Sequence, residues 1–282
     1  ILEGRGIGGK DYVHLDLTHL GEQKLAERLS DITSFVKIYL GIDPAKELIP
    51  IQPTCHYMMG GIPCNVDGHV LDGNQEVVPG LYAAGECSCL SLHGANRLGC
   101  NSLLDLVVFG RRTGLKIGRD LAGLPWQELP RNPEGATLER IRKIKERKTG
   151  EKVAHLRSRL QETMTLHCSV FRHEETLVQA LSEIRSLEER YGEIVIDNRG
   201  ARFNTDLLDA LELEALLGLA EAITVSALNR KESRGAHSRD DYPERNDEEW
   251  LKHTLIQKTD GEVRVFYKPV HISRFQPKPR TY

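Results

Sequence analysis

The segment SLHGANRLGCNSLLD (residues 91–105) decides how the surrounding chain is expected to fold. It holds one histidine, one arginine, two asparagines and two glycines before it ends in leucines. The short apolar run GLYAAGE precedes it, and an apolar run with helical spacing follows it. This order predicts a strand, a polar loop and a helix, with the loop carrying far more hydrogen-bonding groups than a simple connection requires.

A glycine-bearing loop that leads into a helix is a suitable place for a ligand. The first N–H groups of a helix have no partner inside the helix, and the helix dipole favours electron-rich groups there. Glu86, which we expect to end the strand, can accept hydrogen bonds from sugar-type hydroxyls. The pattern therefore favours a nucleotide-like or flavin-like cofactor. It is also typical of a purely structural strand-to-helix turn with Glu86 on the surface.

The start of the helix carries its own signal. Ser102 and Asp105 form an S-x-x-D pattern, which resembles a capping box with Asp in place of the usual Glu. A mainly apolar run, residues 103–109, follows Ser102 directly and includes Asp105 as its one charged residue. We expect the helix to begin at this pair, with Ser102 capping its first turn.

Two side chains near this loop are candidate ligand-binding groups. Arg97 is surrounded by Gly, Asn and Ala, which offer little reason for a structural arginine, and a guanidinium binds a carboxylate through two parallel hydrogen bonds. A surface salt bridge is the alternative role. His56, in PTCHYMMGG, lies between an extended proline segment and a Gly-Gly turn and could face a cleft, although its local pattern alone is more typical of a structural histidine.

Composition excludes several classes of function. The chain has 282 residues, 39% of them hydrophobic, and a formal net charge of -3, which argues against nucleic-acid binding. No apolar run reaches the roughly 18–20 residues that span a bilayer. The six cysteines lack CxxC spacing, which indicates reduced thiols rather than a metal site. The histidines at 155, 167 and 173 do not share one helical face with Cys168, so no metal is predicted there either.

Three zones follow one another along the chain. Residues 22–40 carry apolar positions at helical spacing and lead into a proline-rich extended stretch. Residues 53–120 are turn-rich, with hairpin signals at Asp67-Gly68 and Asp72-Gly73. Residues 136–282 are mostly helical: two apolar stripes, one buried helix after residue 205, and a strand-like tail. Within the polar turn SRGAHSR, His237 is predicted to be a hydrogen-bond hub between domains.

Several motifs together are more specific than any one of them. HYMMGGIP, GLYAAGE and HGANRLGCNSLLDLVVFGR occur in this order, followed by SRGAHSRDDYPERND and the terminal FQPKPRTY. Over nearly its whole length the chain resembles the flavoprotein subunits of succinate dehydrogenase and fumarate reductase. L-Aspartate oxidase, in the same superfamily, is similar around HGANRL, but it usually carries Glu at the position of Asp105 and has a different tail.

The resemblance implies a cofactor, FAD, and a dicarboxylate substrate. Glu86 would bond the ribityl chain of FAD, while Ser102 and Leu103 would present backbone amides to the flavin ring. His56 and Arg97 would hold the substrate carboxylates. His93, Asn96 and Asn101 would be supporting residues of the loop.

The resemblance also implies that part of the site lies outside this sequence. GRGIGG near the start is not a dinucleotide-binding fingerprint, because no strand precedes it and no helix follows it. The fingerprint and the proton-shuttling arginine are expected upstream, so no catalytic residue is predicted in this chain. Because it begins ILEGRGIGG without Met, we expect it to begin inside a longer protein.

The expected fold class is α+β with several domains. Residues 1–52 would end a capping domain, 53–118 would close a Rossmann-like FAD-binding domain, 119–230 would form a helical domain and 231–282 a tail with some β-structure. The implied activity is oxidation of succinate to fumarate by hydride transfer to FAD, with electrons passed to an iron–sulfur subunit.

The implied location follows from the partners. Membrane-anchor subunits would hold the protein indirectly on the cytoplasmic face of the inner membrane, or on the matrix side in mitochondria. Two alternatives stay open: fumarate reduction or L-aspartate oxidation at the same site, and a non-catalytic assembly module for an iron–sulfur or membrane partner.

Overall fold

A computed structural model describes residues 1–126 and 128–278, and the end of the motif FQPKPRTY lies outside the described residues. The chain divides into two compact units, Ile1–His56 and Tyr57–Tyr282. The division lies close to the predicted boundary at residue 52, and the four domain assignments remain predictions.

The first unit combines a two-stranded antiparallel sheet with two helices. Its elements are β1 (Val13–Leu15), α1 (Gly21–Arg28), α2 (Ser30–Leu40) and β2 (Ile49–Ile51). The apolar spacing of residues 22–40 predicts one continuous stripe, but the helix breaks at Leu29, where φ is −134°. Leu25 is buried before the break, whereas Ile32 after it is half exposed, so the two helices do not bury one common stripe.

The second unit begins with short strands and one long helix. In chain order these are β3 (Ile62–Pro63), β4 (His69–Leu71), β5 (Val77–Tyr82), β6 (Ser88–Cys89) and α3 (Asn101–Asp120). Strands β4 and β5 form the hairpin predicted at Asp72-Gly73, and Cys64 pairs antiparallel with Val70 around Asp67-Gly68. Strands β3 and β6 pair in parallel, which brings the chain after residue 60 beside the loop that leads to α3.

The rest of this unit is mainly helical, as predicted. It contains α4 (Gly135–Glu146), β7 (Glu151–Lys152), α5 (Val153–His167), β8 (Phe171–Arg172), α6 (Glu174–Tyr191), β9 (Ile194–Val195), α7 (Thr205–Asn229), β10 (Ser238–Arg239), α8 (Asp247–Trp250), β11 (Lys252–Thr259) and β12 (Glu262–Pro269). Strands β7 and β9 pair in parallel, as do β8 and β10, and β11 and β12 form an antiparallel hairpin of eight residue pairs.

The main hydrophobic core lies among α5, α6 and α7. Leu156, Leu177 and Leu213 are completely buried in it, one from each helix. Each predicted apolar stripe contributes its buried positions, and a 3.6-residue period brings such positions to one side of a helix. The predicted mixed α and β architecture is confirmed. Within the described residues, no helix combines the length and apolar character needed to cross a bilayer.

Candidate functional site

The polar loop ends in a backbone conformation that sets the start of α3. Cys100 has a φ of +66°, a left-handed value that is uncommon for residues other than glycine. It occupies the N-cap position, and the helix begins at Asn101. The predicted capping box of Ser102 and Asp105 is therefore wrong: Ser102 lies inside the first turn, and Asp105 is turned into the protein.

The start of α3 is left open for a ligand. Among the described residues, no side chain caps it. The N–H groups of Ser102 and Leu103 belong to the first turn, where backbone donors have no acceptor within the helix. Such donors, together with the positive end of the helix dipole, suit an electron-rich ring or an anion. The geometry fits the predicted approach of a flavin to Ser102 and Leu103.

Glu86 lies in a turn rather than at the end of a strand, which corrects the sequence-based placement. Strand β5 stops at Tyr82, and Glu86 follows four residues later, just before β6. Its Oε1 accepts the N–H of Met58 at 3.2 Å. For Oε2 we find no hydrogen bond within the described residues, so the exposed carboxylate can still accept one from a hydroxyl.

The Gly-Gly turn after residue 58 packs against this acidic turn. Ile62 donates its N–H to the carbonyl of Cys87 at 2.8 Å. Gly61 has a φ of +122°, and a Cβ at this position would lie 2.5 Å from the same carbonyl oxygen. Only glycine allows this approach, which carries the HYMMGG segment against the loop that holds Glu86.

Arg97 is held by an aromatic ring rather than by a carboxylate. Its Cζ lies 4.4 Å from the centre of the Tyr57 ring, within the range of a cation–π interaction. One terminal nitrogen donates to the carbonyl of Leu98 at 3.0 Å. The Nε atom is buried and has no acceptor among the described residues. A buried donor without a partner is costly, so this nitrogen is a candidate donor for a ligand.

A second pair of residues supports the same ring. His93 meets Tyr57 edge-on, with ring centres 5.6 Å apart and planes at 86°. The Nε2 atom of His93 lies 3.0 Å from Oδ2 of Asp105, which is only 3% exposed. Burial raises the pKa of the Tyr57 hydroxyl, and the charges of Asp105 and Glu86 raise it further, with Arg97 opposing them.

The loop is also tied to the C-terminal part of the chain. Ala236 donates its N–H to the carbonyl of Ala95 at 2.9 Å. At Gly235, where φ is +61°, a Cβ would lie 2.5 Å from that carbonyl oxygen. The adjacent Arg234 is bound by the completely buried Glu232. Two residues before Arg97, the backbone is thus fixed by the SRGAH turn.

His237 is a hydrogen-bond hub, but its partners Arg172 and Arg230 lie in the same compact unit, so its predicted place between domains remains a prediction. Its Nε2 donates to the carbonyl of Arg230 at 3.0 Å, which leaves Nδ1 to accept from Arg172, also at 3.0 Å. Burial lowers the pKa of His237 to about 4, and the nearby positive charges of Arg172, Arg230 and Arg239 contribute to this shift.

His56 lies at the end of the first unit, with an exposed side chain, whereas Arg97 belongs to the second unit. The joint grip of His56 and Arg97 on a substrate therefore stays a prediction. Within the described residues, no group of three or more histidine, cysteine, aspartate or glutamate side chains is arranged to hold a metal ion.

Comparison with known proteins matches two parts of the chain to protein-family models. Residues 1–103 match a family model described as an FAD binding domain, and residues 157–282 match one described as the fumarate reductase flavoprotein C-terminus. The succinate dehydrogenase flavoprotein subunit of Rickettsia conorii is 46% identical over 280 residues, which cover 97% of this chain and 47% of that protein. The chain belongs to the succinate dehydrogenase and fumarate reductase flavoprotein family.

Further relatives bear the names of both enzymes of this family. The fumarate reductase flavoprotein subunit of Mycobacterium tuberculosis is 42% identical, over 96% of this chain and 47% of its own length. A solved variant of the E. coli quinol fumarate reductase superposes with a TM-score of 0.87 at 40% identity, covering 97% of this chain and 47% of that one. The chain thus spans about half the length of the flavoprotein subunits it matches. The prediction of FAD as the cofactor of this family is confirmed.

Sequence reasoning missed three residues of this site. Tyr57 stands next to His56 in the quoted HYMMGG motif, yet nothing in the spacing showed that its ring would lie under Arg97. Asp105 was interpreted as part of a helix cap and instead binds His93. Gly235 lies in the quoted SRGAHSR turn, but nothing in that pattern showed that it would approach the loop backbone at Ala95. The one usable signal in the sequence was an aromatic residue, Tyr57, inside the glycine-rich HYMMGG motif.

Proposed function

We propose that this chain supplies one wall of a site at which the complete flavoprotein oxidises succinate to fumarate. The observation that carries the proposal is the guanidinium of Arg97, which is half-buried, held through its face, and has a buried Nε donor for which the described residues supply no acceptor. A dicarboxylate supplies the planar, charged acceptor that such a fork of donors binds best. The names of the relatives support the choice of succinate or fumarate.

The residues around the open start of α3 fit FAD. Glu86 would accept hydrogen bonds from the hydroxyls of its ribityl chain, and the amides of Ser102 and Leu103 would face the ring at the positive end of the helix. Bound there, FAD supplies the acceptor for the hydride that leaves the substrate. Donors aimed at developing negative charge favour that transfer because they need no reorganisation during the reaction.

Within this scheme, Arg97 and His56 bind and orient the dicarboxylate. Two carboxylate anchors fix the central carbon–carbon bond, so that the hydrogen to be removed as hydride is held in one direction. The proton lost from the neighbouring carbon is expected to pass to an arginine outside this sequence. The electrons would continue to an iron–sulfur subunit, and membrane-anchor subunits would hold the assembly at the cytoplasmic or matrix face of the membrane.

The decisive variant is Arg97→Lys in the complete flavoprotein. A lysine keeps the charge but loses the two-pronged geometry, so kcat/KM for succinate should fall by about two orders of magnitude or more. The matched control is Arg112→Lys in α3, since Arg112 is an exposed partner of Asp67 and should leave turnover unchanged. Succinate oxidation within a few-fold of wild type in Arg97→Lys would remove the substrate role from this residue.

Separate assays with succinate, fumarate and L-aspartate decide among the enzymes of the superfamily. We expect turnover of succinate and fumarate and none of L-aspartate. A complete flavoprotein with bound FAD that turns over none of the three would instead favour the non-catalytic assembly module.

A further inference from the structure

The Tyr57 ring contacts Arg97 in a way that leaves the arginine free to bind a ligand. The donors of a guanidinium lie in its plane, whereas an aromatic ring attracts the cation through its face. A carboxylate in the same place would occupy those donors and neutralise the charge. Among the described residues neither nearby acid binds Arg97: one carboxylate oxygen of Asp105 lies against His93, and one of Glu86 accepts the N–H of Met58. Tyr57 can therefore orient Arg97 without competing with a substrate carboxylate.

The ring is itself held on a second side. His93 packs edge-on against it, and the buried Asp105 binds His93 from within α3. A continuous set of contacts therefore runs from the helix through Asp105 and His93 to the ring, and from the ring to the guanidinium. In the described part of the chain, the one hydrogen bond that the guanidinium makes is to the carbonyl of Leu98.

We propose that Tyr57 is a positioning residue for substrate binding: its ring face, supported by His93 and Asp105, orients the Arg97 guanidinium while keeping its charge and donors available for a carboxylate. This inference rests on the proposed dicarboxylate site and extends it to a residue that does not itself contact the substrate. It assigns the effect to the electron-rich ring face and not to the hydroxyl.

Two substitutions in the complete, FAD-loaded flavoprotein distinguish the contribution of the Tyr57 ring face from that of its hydroxyl. Tyr57→Phe keeps the face, so KM for succinate and Kd for the competing dicarboxylate malonate should stay within about twofold of wild type. Tyr57→Leu removes it, and both constants should rise roughly fivefold to thirtyfold, the range that a partly desolvated cation–π contact implies. The change in kcat should be smaller than that in KM, and FAD content should not change.

A graded series tests the same idea with the shape of the ring preserved. Stepwise fluorination of a phenylalanine placed at position 57 weakens the negative ring face, so malonate Kd should rise with each added fluorine. This series remains informative if Tyr57→Leu fails to fold. A flat series, or a Tyr57→Phe variant as impaired as Tyr57→Leu, would overturn the proposal.

The controls distinguish this inference from the proposed function. If wild type turns over no dicarboxylate, the proposed function itself fails. If wild type oxidises succinate, Arg97→Lys does not, and Tyr57→Leu matches wild type, then only the positioning role of Tyr57 is wrong.

Discussion

At the scale of single residues, burial shifts the pKa of polar side chains that lie inside the protein. Glu232 is completely buried, and burial alone would raise its pKa, yet hydrogen bonds from Arg234, Arg230 and the backbone of Asn246 lower it. His237 shows the opposite balance, since burial and surrounding positive charges disfavour its protonated form. The same turn thus holds a carboxylate in its charged form and a histidine in its neutral form.

Acidification should destabilise the folded protein through His237. The pKa is about 4 in the folded state and about 6.5 when unfolded, so between these values the unfolded state binds more protons. This contribution to the free energy of unfolding is complete above pH 6.5 and is lost as the pH falls through 4. Urea unfolding measured between pH 7 and 4.5 should show a decreasing free energy of unfolding.

The slope of that pH dependence identifies its source. His237→Asn lowers overall stability but should flatten the curve between pH 6.5 and 4.5. His253, whose pKa is also lowered mainly by burial, should maintain part of the slope, so the double variant with His253→Asn should be flatter still. An unchanged slope in His237→Asn would contradict the assignment.

At the scale of elements, the loop before α3 is fixed by backbone contacts at both ends. The left-handed Cys100 sets the helix start, and the carbonyl of Ala95 accepts a hydrogen bond from the SRGAH turn. The parallel pair of β3 and β6 brings the HYMMGG turn to the same loop. Two segments that are distant in sequence therefore approach the chain that leads to Arg97, at Cys87 and at Ala95, through short backbone contacts.

Opposite effects on stability are expected at two glycines. Gly235→Ala places a Cβ 2.5 Å from the Ala95 carbonyl oxygen in a left-handed conformation, so it should lower the free energy of unfolding by about 1–3 kcal/mol. Gly218→Ala, in the middle of α7 with open space around it, should raise it by about 0.5–1 kcal/mol. Chemical denaturation of both variants provides the measurement. If both substitutions changed the free energy of unfolding in the same direction and by the same amount, the close approach at Gly235 would be unimportant.

At the scale of the whole molecule, stability comes mainly from the helical core of the second unit. Leucines of α5, α6 and α7 are completely buried there, whereas the first unit buries few apolar side chains, such as Leu25 and Ile49. The SRGAH turn follows α7 closely, so the helical core supports the segment that holds the loop of Arg97.

Two leucines of α7 test where the stability resides. Leu213→Ala leaves a cavity in the core and should reduce the free energy of unfolding by about 2–5 kcal/mol. Leu219→Ala, at a position that is 60% exposed, should change it by no more than about 0.5 kcal/mol. Thermal and urea unfolding of the two variants make the comparison. If both variants lost a similar free energy of unfolding, the stability would not reside mainly in the core around Leu213.

The sequence by itself determined the class of fold, the family and most of the elements. Apolar periodicity located α5, α6 and α7, turn residues located the β4–β5 hairpin, and the density of polar groups in residues 91–105 marked the loop of Arg97. These features are local, because a 3.6-residue period or an Asp-Gly pair states its preference within a few positions.

Only the tertiary structure decided which groups meet. That Tyr57 supports Arg97, that Asp105 binds His93 instead of capping α3, and that Gly235 approaches Ala95 all depend on contacts between distant segments. Even the start of α3 followed from Cys100 adopting a left-handed conformation against the S-x-x-D signal. Local preferences amount to about 1 kcal/mol each, and long-range packing outweighs them wherever several buried contacts agree.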